Sequence, residues 1–574
     1  MDNRERYDVI VCGGGVAGLC LARQLTLDSN ELKVLVLDLL KRPLPDAAFK
    51  VGESTIETGA CYYGETLRLA DYLQREHLEK LGLRYFYQGT QGNHRLAFRP
   101  EYGARRFLPA HSYQLDRGKL ENHLRDLVEQ AGVHLREGAR VKHIQLNPDT
   151  DHVVSWQAGE ESYEAACRWV VDGMGRRRYL QYKLGLDKES AGMFNSAWFR
   201  VRGKFRIGDF VPPEEKAWHA RAEEDRWHST NHLMGPGYWV WLIPLGPDNT
   251  SVGIVASEAL HPFSTYNTYE KALQWLEANE PLVARDVREY ELLDFLKLKN
   301  YSYSSKQVFS ADRWSCVGEA AGFADPYYSV GSNMIAFANG FTVRMIAMDR
   351  AGELTQDYVD YANRFFLTLL DALTDTIHRA YPFLHDAPVM ALKTIWDYYI
   401  GWATTDPQYY DQIYLDPRKA AAVSGLISPI IVTQARMMRL FEDWAQHESH
   451  YTFDYIDYID DLPTLKELHV RTLPPRSDDF RRFTTHLRQA VDRIEELAIV
   501  IFHMAVRDVY PGKAGPFEAN PWINTAAISL DPSKWEEDGL FSPRTQPRDL
   551  SLLRNEIGRL FVTKEARLPA AAGA

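Results

Sequence analysis

The glycines near the N-terminus constrain the fold more than any other feature of this chain. A short apolar run leads into residues 13–18, GGGVAG, whose glycines have G-x-G-x-x-G spacing, and a helical pattern follows at 19–25. This is the strand–turn–helix layout of a dinucleotide-binding domain. We expect Gly13 to allow the tight turn, Gly15 to admit a pyrophosphate, and Gly18 to let the helix approach the strand.

A second apolar run strengthens this prediction. Residues 32–37 end in Asp38, about 20 residues beyond the last glycine, where an acid that binds a ribose hydroxyl is expected. Phosphates would lie at the N-terminus of the first helix, because unpaired N–H groups and the helix dipole favour an anion there. The motif alone does not distinguish NAD from FAD.

Composition narrows the choice of partners and compartment. The chain has 574 residues, enough for two or more cores, and a net charge of -12, which argues against nucleic-acid binding. Its five cysteines form no C-x-x-C pair, which favours a reducing cytoplasm and predicts no metal site.

The first strand begins almost at the N-terminus, so we expect no signal peptide. No apolar run approaches the about 20 residues that cross a bilayer, so we also expect no membrane span.

Strand and helix patterns alternate through the first third of the chain, as a parallel α/β sheet requires. We predict a Rossmann-like FAD-binding domain from residues 1–195 and 300–350. An inserted antiparallel β-sheet on the substrate side is predicted over 196–299, and a mostly helical C-terminal region over 351–574. Whether the helical region is an independent domain or covers the first one stays open.

Four stretches at the ends of predicted strands together resemble the flavin-dependent aromatic monooxygenase superfamily. They are the glycine turn, residues 52–54 (GES), residues 172–173 (DG) and residues 318–326 (GEAAGFADP). Many members have Gly-Asp where this chain has Gly318-Glu319, which puts one ribose or ribitol contact in doubt. The resemblance implies FAD lying across the sheet, bound by Gly13, Gly15, Val16, Ala17, Gly18, Asp38, Lys50, Gly52, Glu53, Ser54, Arg117, Asp172, Gly318, Asp325 and Pro326.

A hexapeptide in the predicted second sheet is more specific. Residues 239–244 read WVWLIP, and the tryptophans at 239 and 241 point to the same face of a strand. An arbitrary pair of this kind is more often part of a core. The whole W-x-W-x-I-P pattern, however, is similar to the signature of the flavin-dependent halogenases, and the resemblance covers about Tyr7–Met348. It implies that Trp239 and Trp241 separate the flavin from the substrate.

The halogenase resemblance also implies a lysine. In that family, reduced FAD, oxygen and halide give hypohalous acid, which travels through a tunnel to a lysine that presents the halogen to an aromatic ring. Lys80 is the best candidate, because it precedes a glycine and an aromatic strand. Lys50 is the alternative, but it adjoins the flavin loop. A helical pattern over 66–81 also allows Lys80 to be an ordinary helix C-terminal lysine.

The same resemblance places the halide, chloride or bromide, at Ser329-Val330-Gly331, where backbone N–H groups at a helix start would hold the anion. These N–H groups would be those of Val330 and Gly331. In the tryptophan-halogenating branch, a glutamate stands two residues before the first of them. This chain has Tyr328 there, which favours a phenolic substrate and makes Tyr328 a candidate for substrate contact.

Three classes of function remain. The first is a halogenase that takes FADH2 from a separate reductase and acts, with oxygen and halide, on a small phenolic or electron-rich aromatic. An indole, tryptophan or carrier-tethered substrate is an alternative within this class, although residues 176–178 form the one clear basic cluster for docking an acidic carrier. The second is a flavin-dependent aromatic hydroxylase, and the third a non-catalytic flavin-binding protein. The assembly state is open, with a homodimer as one candidate.

Overall fold

The computed structural model describes residues 4–45, 52–88, 94–190, 192–246, 248–473 and 479–567. The strands are β1 Glu5–Cys12, β2 Val34–Asp38, β3 Leu78–Glu79, β4 Leu83–Tyr87, β5 Glu101–Tyr102, β6 Tyr113–Gln114, β7 His134–Glu137, β8 Ala139–Gln145, β9 His152–Ala158, β10 Glu161–Asp172, β11 Asp187–Glu189, β12 Phe194–Arg202, β13 Thr230–Gly235, β14 Tyr238–Leu245, β15 Asn249–Ser257, β16 Glu291–Leu298, β17 Tyr303–Ser305, β18 Phe309–Ser310, β19 Trp314–Cys316, β20 Tyr451–Thr452, β21 Tyr455–Ile456 and β22 Val562–Thr563.

The helices lie mainly in the C-terminal half. They are α1 Val16–Asp28, α2 Glu57–Cys61, α3 Ala70–Glu76, α4 Arg117–Gln130, α5 Tyr179–Leu184, α6 Lys216–His219, α7 Tyr269–Asn279, α8 Pro281–Val287, α9 Gly331–Arg350, α10 Gln356–His378, α11 Ala387–Ile400, α12 Asp406–Tyr410, α13 Pro417–Trp444, α14 Pro463–Thr472, α15 Phe480–Val509, α16 Gly515–Ala519, α17 Lys534–Glu537, α18 Ser551–Gly558 and α19 Lys564–Arg567. The long helices follow the three- and four-residue apolar spacing of the sequence.

The first sheet confirms the α/β prediction. Its strand order is β18-β19-β10-β1-β2-β7, with β8 and β9 continuing from β10. The pairs of β1 with β2 and β10, and of β10 with β19, are parallel. Since α1, α4 and α9 pack against this sheet, its central strands are near-continuous apolar runs such as Val9–Cys12, which is fully buried. The strand ends at Cys12, Asp38, Asp172 and Cys316 meet at one edge.

The second sheet is built over a longer stretch of sequence than 196–299. Its order is β16-β12-β15-β14-β13-β4-β5-β21, so residues 83–102 and 455–456 also contribute strands. Its two faces alternate along β14. Val240 and Leu242 pack into a separate core with α7 and α8, whereas Trp239 and Trp241 face the first sheet.

The helical C-terminal region shares one core with the first sheet. A continuous set of buried side chains includes Val11 on β1, Ile346 on α9 and Ile501 on α15. Strand β21 also pairs with β5, at Tyr455↔Glu101. The region therefore packs mainly on the cofactor domain and on the second sheet, and it has one small cluster of its own, formed by Ile413, Val423, Phe483 and Leu487.

Helix α13 is long and apolar enough, by length and composition alone, to cross a membrane. Its best window has a mean hydropathy of 1.3 and is 28% buried. One such helix is weak support for a span, since core helices of soluble proteins meet the same criterion. The expectation of no membrane span stays a prediction.

The predicted helix over 66–81 is wrong at its C-terminal end. Helix α3 stops at Glu76, and Leu78–Glu79 form β3, which pairs with β6. Tertiary pairing overrides the local helical pattern here, because Lys80 N donates to Ser112 O at 2.8 Å and Leu81 N to His228 O at 3.0 Å. Lys80 therefore lies in a loop between two strands and is not a helix C-terminal lysine.

Candidate active site

A cavity of about 780 Å³ lies at the carboxyl edge of the first sheet and reaches the inner face of the second. This is where a doubly wound sheet binds its ligand. Most of the predicted site residues line it, namely Gly13, Gly15, Val16, Ala17, Asp38, Gly52, Glu53, Ser54, Arg117, Trp239, Trp241, Gly318, Asp325, Pro326, Ser329, Val330 and Gly331.

Of the remaining predicted cofactor residues, Gly18 and Asp172 are described and do not line the cavity. Lys50 is outside the described residues. Gly18 is behind the turn, where an added Cβ would be 2.0 Å from Gly13 O. Asp172 is buried, and its carboxylate accepts from Met174 N at 3.0 Å and Leu180 N at 2.8 Å. It holds the loop whose residues 173–177 line the cavity.

The glycine turn has the geometry of a phosphate site. Gly13 has φ +115°, and a Cβ there would be 2.2 Å from Gly173 O, so only glycine fits. Helix α1 begins at Val16, with Gly15 as its N-cap, no side-chain cap and no acidic residue in the first turn. Its free N–H groups face the cavity, and the residues present fit the pyrophosphate of FAD.

The acid at the end of β2 is held by an arginine. Asp38 lines the cavity and forms an ion pair with Arg125, which also binds Glu137 at 2.9 Å and Gly14 O at 3.0 Å. Arg125 therefore ties the acid to the glycine turn. This arrangement orients the Asp38 carboxylate at the cavity edge predicted for the ribose.

Glu53 connects the cofactor loop to the second sheet. Arg200 Nε on β12 donates to Glu53 Oε1 at 2.7 Å, and the same guanidinium binds Asp294 at 2.8 Å. Burial raises the pKa of Glu53 and the Arg200 charge opposes that shift. The Glu53 carboxylate therefore uses its hydrogen bonds mainly to position the loop at residues 52–54.

The basic cluster at 176–178 is partly turned to the cavity: Arg176 is half-buried and Arg178 buried, whereas Arg177 is exposed. Arg176 lines the cavity, binds Glu319 at 3.4 Å and donates to Tyr301 O at 2.7 Å. Arg177 also lines the cavity and donates to Val141 O at 2.7 Å. Glu319, the departure from Gly-Asp, thus faces the cavity with an arginine partner.

The two signature tryptophans lie side by side, with ring centroids 5.7 Å apart. Trp241 Nε1 donates to Ser251 Oγ and Trp239 Nε1 to Tyr381 Oη, each at 3.0 Å. Tyr381, between α10 and α11, in turn donates to Asp325 at 2.9 Å. A residue of the helical region therefore fixes Trp239, and nothing in the local sequence around 381 predicts this contact.

Lys80 lies directly behind the cavity lining. Its Nζ donates to Ser54 Oγ at 2.9 Å and to Thr55 O at 2.7 Å, and the side chain is buried. Ser54 and Thr230, which are hydrogen-bonded at 2.9 Å, line the cavity. Burial lowers the pKa of Lys80 to about 7, and the nearby Glu57 carboxylate only partly opposes that shift.

His232 is a cavity-lining residue that the sequence analysis missed. It stacks on Tyr85 at 4.7 Å and lies 5.2 Å from the Trp239 ring. Burial lowers its pKa to about 3, and the Lys80 charge adds to that shift, so the imidazole is neutral. Alternate residues of a strand point to the same face, so Thr230, His232 and Met234 share one face of their strand. This alternation is the sequence pattern that could have indicated His232.

Tyr328 and the predicted halide residues 329–331 lead into α9, which begins at Gly331. Ser329 has φ +59°, and the helix starts at Gly331 with no acidic residue in its first turn. Tyr328 is buried and does not line the cavity; its hydroxyl donates to Asp397 Oδ2 on α11 at 2.6 Å. No group of metal-ligand side chains occurs among the residues that the structure describes.

A family model described as tryptophan halogenase matches residues 91–381, about half of the chain. The chain belongs to the tryptophan halogenase family. This confirms the halogenase assignment and the flavin-dependent enzyme class that the sequence predicts.

The relatives compared with this chain are halogenases. The chain is 30% identical over 363 residues to flavin-dependent halogenase chlA of Dictyostelium discoideum, an alignment that spans 58% of each protein. It is 25% identical to the 1H-pyrrole-2-carbonyl peptidyl-carrier-protein chlorinase of Pseudomonas fluorescens, over 57% of this chain and 72% of that one. It is 26% identical to tetracycline 7-halogenase of Kitasatospora aureofaciens, over 64% and 68%.

Solved structures show the same fold. Halogenase PltM in complex with phloroglucinol and FAD superposes with a TM-score of 0.60 at 17% identity, over 86% of this chain and 96% of that one. Flavin-dependent brominase Bmp2 gives 0.51 at 21% identity, over 71% and 92%.

Proposed function

We propose that this family member is an FADH2-dependent halogenase that uses oxygen and chloride or bromide to halogenate a small, electron-rich, phenolic aromatic. The observation that carries the proposal is Lys80, a buried amine one hydrogen bond behind Ser54 in the cavity lining. Lys80 does not itself line the cofactor cavity. This arrangement suits a reaction in which hypohalous acid leaves the flavin before it meets the substrate.

The cavity residues would hold FAD in its reduced form, with the pyrophosphate at the glycine turn and α1. When bound, reduced FAD supplies the electrons with which oxygen and halide give hypohalous acid. Trp239, Trp241 and His232 form a continuous aromatic surface between that cavity and the tyrosines around Tyr327. This surface would keep a substrate ring away from the flavin, which favours halogenation over direct hydroxylation.

Lys80 has the chemistry for the second step. Two acceptors, Ser54 Oγ and Thr55 O, fix its amine. With a pKa of about 7, a large fraction of Lys80 is neutral near physiological pH and can carry the halogen, while the protonated fraction can donate to hypohalous acid. Both forms present an electrophilic halogen at one fixed position.

The phenolic substrate is supported by Tyr328 and its partner Asp397. Tyr328 is buried, the Asp397 side chain is only 7% exposed, and both offer hydrogen bonds to a hydroxyl group. A phenol ring is also activated by its own hydroxyl group, so it needs less help from the enzyme to react with an electrophilic halogen than a less electron-rich ring does.

A carrier-bound pyrrole is the second candidate, because the pyrrole chlorinase relative acts on a substrate held by a peptidyl carrier protein. The basic cluster gives this candidate little support. Arg176, Arg177 and Arg178 each donate to a backbone carbonyl, and of the three only Arg177 is exposed, so the cluster offers one surface charge for docking an acidic carrier.

A separate reductase and a cytoplasmic location complete the proposal. The sequence has no second glycine-rich nucleotide motif with which to reduce flavin from a nicotinamide. All five cysteines are buried and free, which suits a reducing compartment.

The test is turnover with a flavin-reductase system, oxygen, chloride or bromide, and a panel of phenols, indoles and a carrier-bound pyrrole, read by mass. A halogenated phenol is the expected product. Hydroxylated products would instead support the hydroxylase, and halogenation of indoles or the carrier-bound pyrrole alone would replace the phenolic assignment.

A further inference from the structure

The Asp397 carboxylate on α11 has one oxygen that takes part in none of the contacts described so far. Its Oδ2 accepts from Tyr328 Oη at 2.6 Å and forms an ion pair with Lys393. Its Oδ1 is equally buried and has no hydrogen-bond partner among the residues that the structure describes. A buried carboxylate oxygen without a partner is costly, and in a native protein it commonly has a functional reason.

Asp397 borders a group of buried phenol rings, which we name the tyrosine chamber: Tyr85, Tyr102, Tyr327, Tyr328, Tyr398 and Tyr458. The hydroxyls of Tyr102 and Tyr327 also have no partner in the described part of the chain. Burial raises the pKa of Tyr327, and the Asp397 charge adds to the shift. Aromatic surface and unpartnered polar atoms therefore coincide in one place.

The tyrosine chamber also reaches the Lys80 side. Tyr85 stacks on His232, whose pKa is lowered further by the Lys80 charge. Tyr458 Oη lies over the loop after Lys80, 2.1 Å from the position of a Cβ on Gly82. The chamber thus extends from the loop carrying the amine to the carboxylate on α11.

We propose that Asp397 Oδ1 accepts the hydroxyl of a phenolic substrate bound in the tyrosine chamber, which holds a ring carbon toward Lys80. This rests on the proposed function and adds the residue that binds the substrate. Lys393 keeps the carboxylate charged, and Tyr328 fixes its second oxygen.

The ring carbon supplies the electron pair of the new carbon–halogen bond, and the O–X bond of hypohalous acid breaks. The phenol O–H proton moves to Asp397 as positive charge develops on the ring. The ring C–H proton is then lost to the hydroxide from hypohalous acid, which becomes water, and the phenol oxygen regains its proton from Asp397.

The ionisable groups facing Asp397 are Lys393 on its own helix and Tyr327 and Tyr328 on the loop before α9. Burial raises the pKa of Asp397, while Lys393 and the Tyr328 hydrogen bond lower it. Protonation of Asp397 would remove the acceptor, so phenol halogenation should fall at acid pH.

The experiment compares the full chain with Asp397→Asn in the reductase-coupled assay, using a phenol and its O-methyl ether as paired substrates. A trapping reagent measures hypohalous acid separately. We expect trapped hypohalous acid to be unchanged, phenol halogenation to fall about 100-fold, and the preference for the phenol over the ether to decrease. The acid-side fall attributable to Asp397 should also disappear.

Asp386→Asn is the matched control, since Asp386 is a buried carboxylate at the N-cap of the same helix and asparagine also caps well. If Asp397→Asn is poorly folded, Lys393→Met/Asp397→Asn removes both charges and should show the same loss of preference. A variant that keeps the wild-type preference for the phenol would overturn the Asp397 role. A wild-type protein that forms hypohalous acid but halogenates no phenol would overturn the proposed substrate class instead.

Discussion

In the part of the chain that the structure describes, two lysines are buried, Lys80 and Lys393, and they differ in their partners. Lys393 forms an ion pair with Asp397, one turn along the same helix. Lys80 has hydroxyl and carbonyl partners, Ser54 Oγ and Thr55 O, and no salt-bridge partner among the described residues. Both are almost entirely removed from solvent.

The partner decides what each lysine can do. A paired ammonium in a low-dielectric interior stays charged and fixes its carboxylate. A buried lysine without such a partner has a lowered pKa and exchanges its proton near neutrality. Lys80 is therefore suited to chemistry at nitrogen, and Lys393 to holding a charge in place.

The largest effect expected is the loss of product in Lys80→Met. Halogenated product should fall about 1,000-fold, because the group that presents the halogen is gone. FAD binding and trapped hypohalous acid should be retained, since the cavity lining is untouched. Lys188→Met is the control, as Lys188 lies on the surface with Asp371. Halogenation that persists in Lys80→Met would show that another residue carries the halogen.

The two lysines should rank the other way in their effect on stability: replacing Lys393 should cost more unfolding free energy than replacing Lys80. Lys393→Met leaves Asp397 buried without its countercharge and should cost about 3–5 kcal/mol of unfolding free energy. Lys80→Met leaves only neutral acceptors unpaired and should cost about 1–3 kcal/mol. Denaturant unfolding measures both. Adding Asp397→Asn to Lys393→Met should recover much of the loss; if it does not, the pair is not the source of the destabilisation.

The pH profile of Lys80 should show the next largest effect. Because the pKa of Lys80 is about 7, the neutral amine is lost below pH 7. If the amine carries the halogen, kcat/KM for halogenation should fall about tenfold per pH unit below 7 and be level above it. The rate of trapped hypohalous acid over the same range is the control. A rate that falls above pH 7 would instead assign the protonated form as a hydrogen-bond donor.

The cofactor half of the site was predictable from sequence because it is local. The turn of Gly13 and the loops at 52–54 and 318–326 each lie within a few residues, and backbone requirements fix their composition. The strand alternation also placed Trp239 and Trp241 on one face. Short-range rules were sufficient there.

The substrate half was not predictable in the same way. Tyr381 reaches the site from the connection between α10 and α11, and Asp397 from α11, whose apolar spacing indicates only that it packs. Lys80 was found through resemblance, while its helical setting was wrong, because the pairing of β3 with β6 depends on residues more than 30 positions away. Contacts between distant segments, rather than local pattern, build this half.

The smallest effect expected concerns the charge nearest Lys80. Burial lowers the pKa of Lys80, and the Glu57 carboxylate, itself buried near His469, raises it. Removing that charge in Glu57→Gln should lower the pKa further and move the acid-side fall of halogenation to lower pH, by less than about 1 unit.

Glu79→Gln is the matched control for this shift. Glu79 is adjacent to Lys80 in sequence, but its side chain is 39% exposed and pairs with His111, so solvent screens its charge. It should leave the pH profile in place. If Glu79→Gln moves the profile as much as Glu57→Gln does, the ionisation of Lys80 follows the general surface charge. If only Glu57→Gln moves the profile, the buried Glu57 carboxylate sets the fraction of neutral Lys80. The two lysines then differ in the distance of their carboxylate. Asp397 is in direct contact with Lys393 and holds it in an ion pair, whereas Glu57 is farther from Lys80 and only adjusts its pKa.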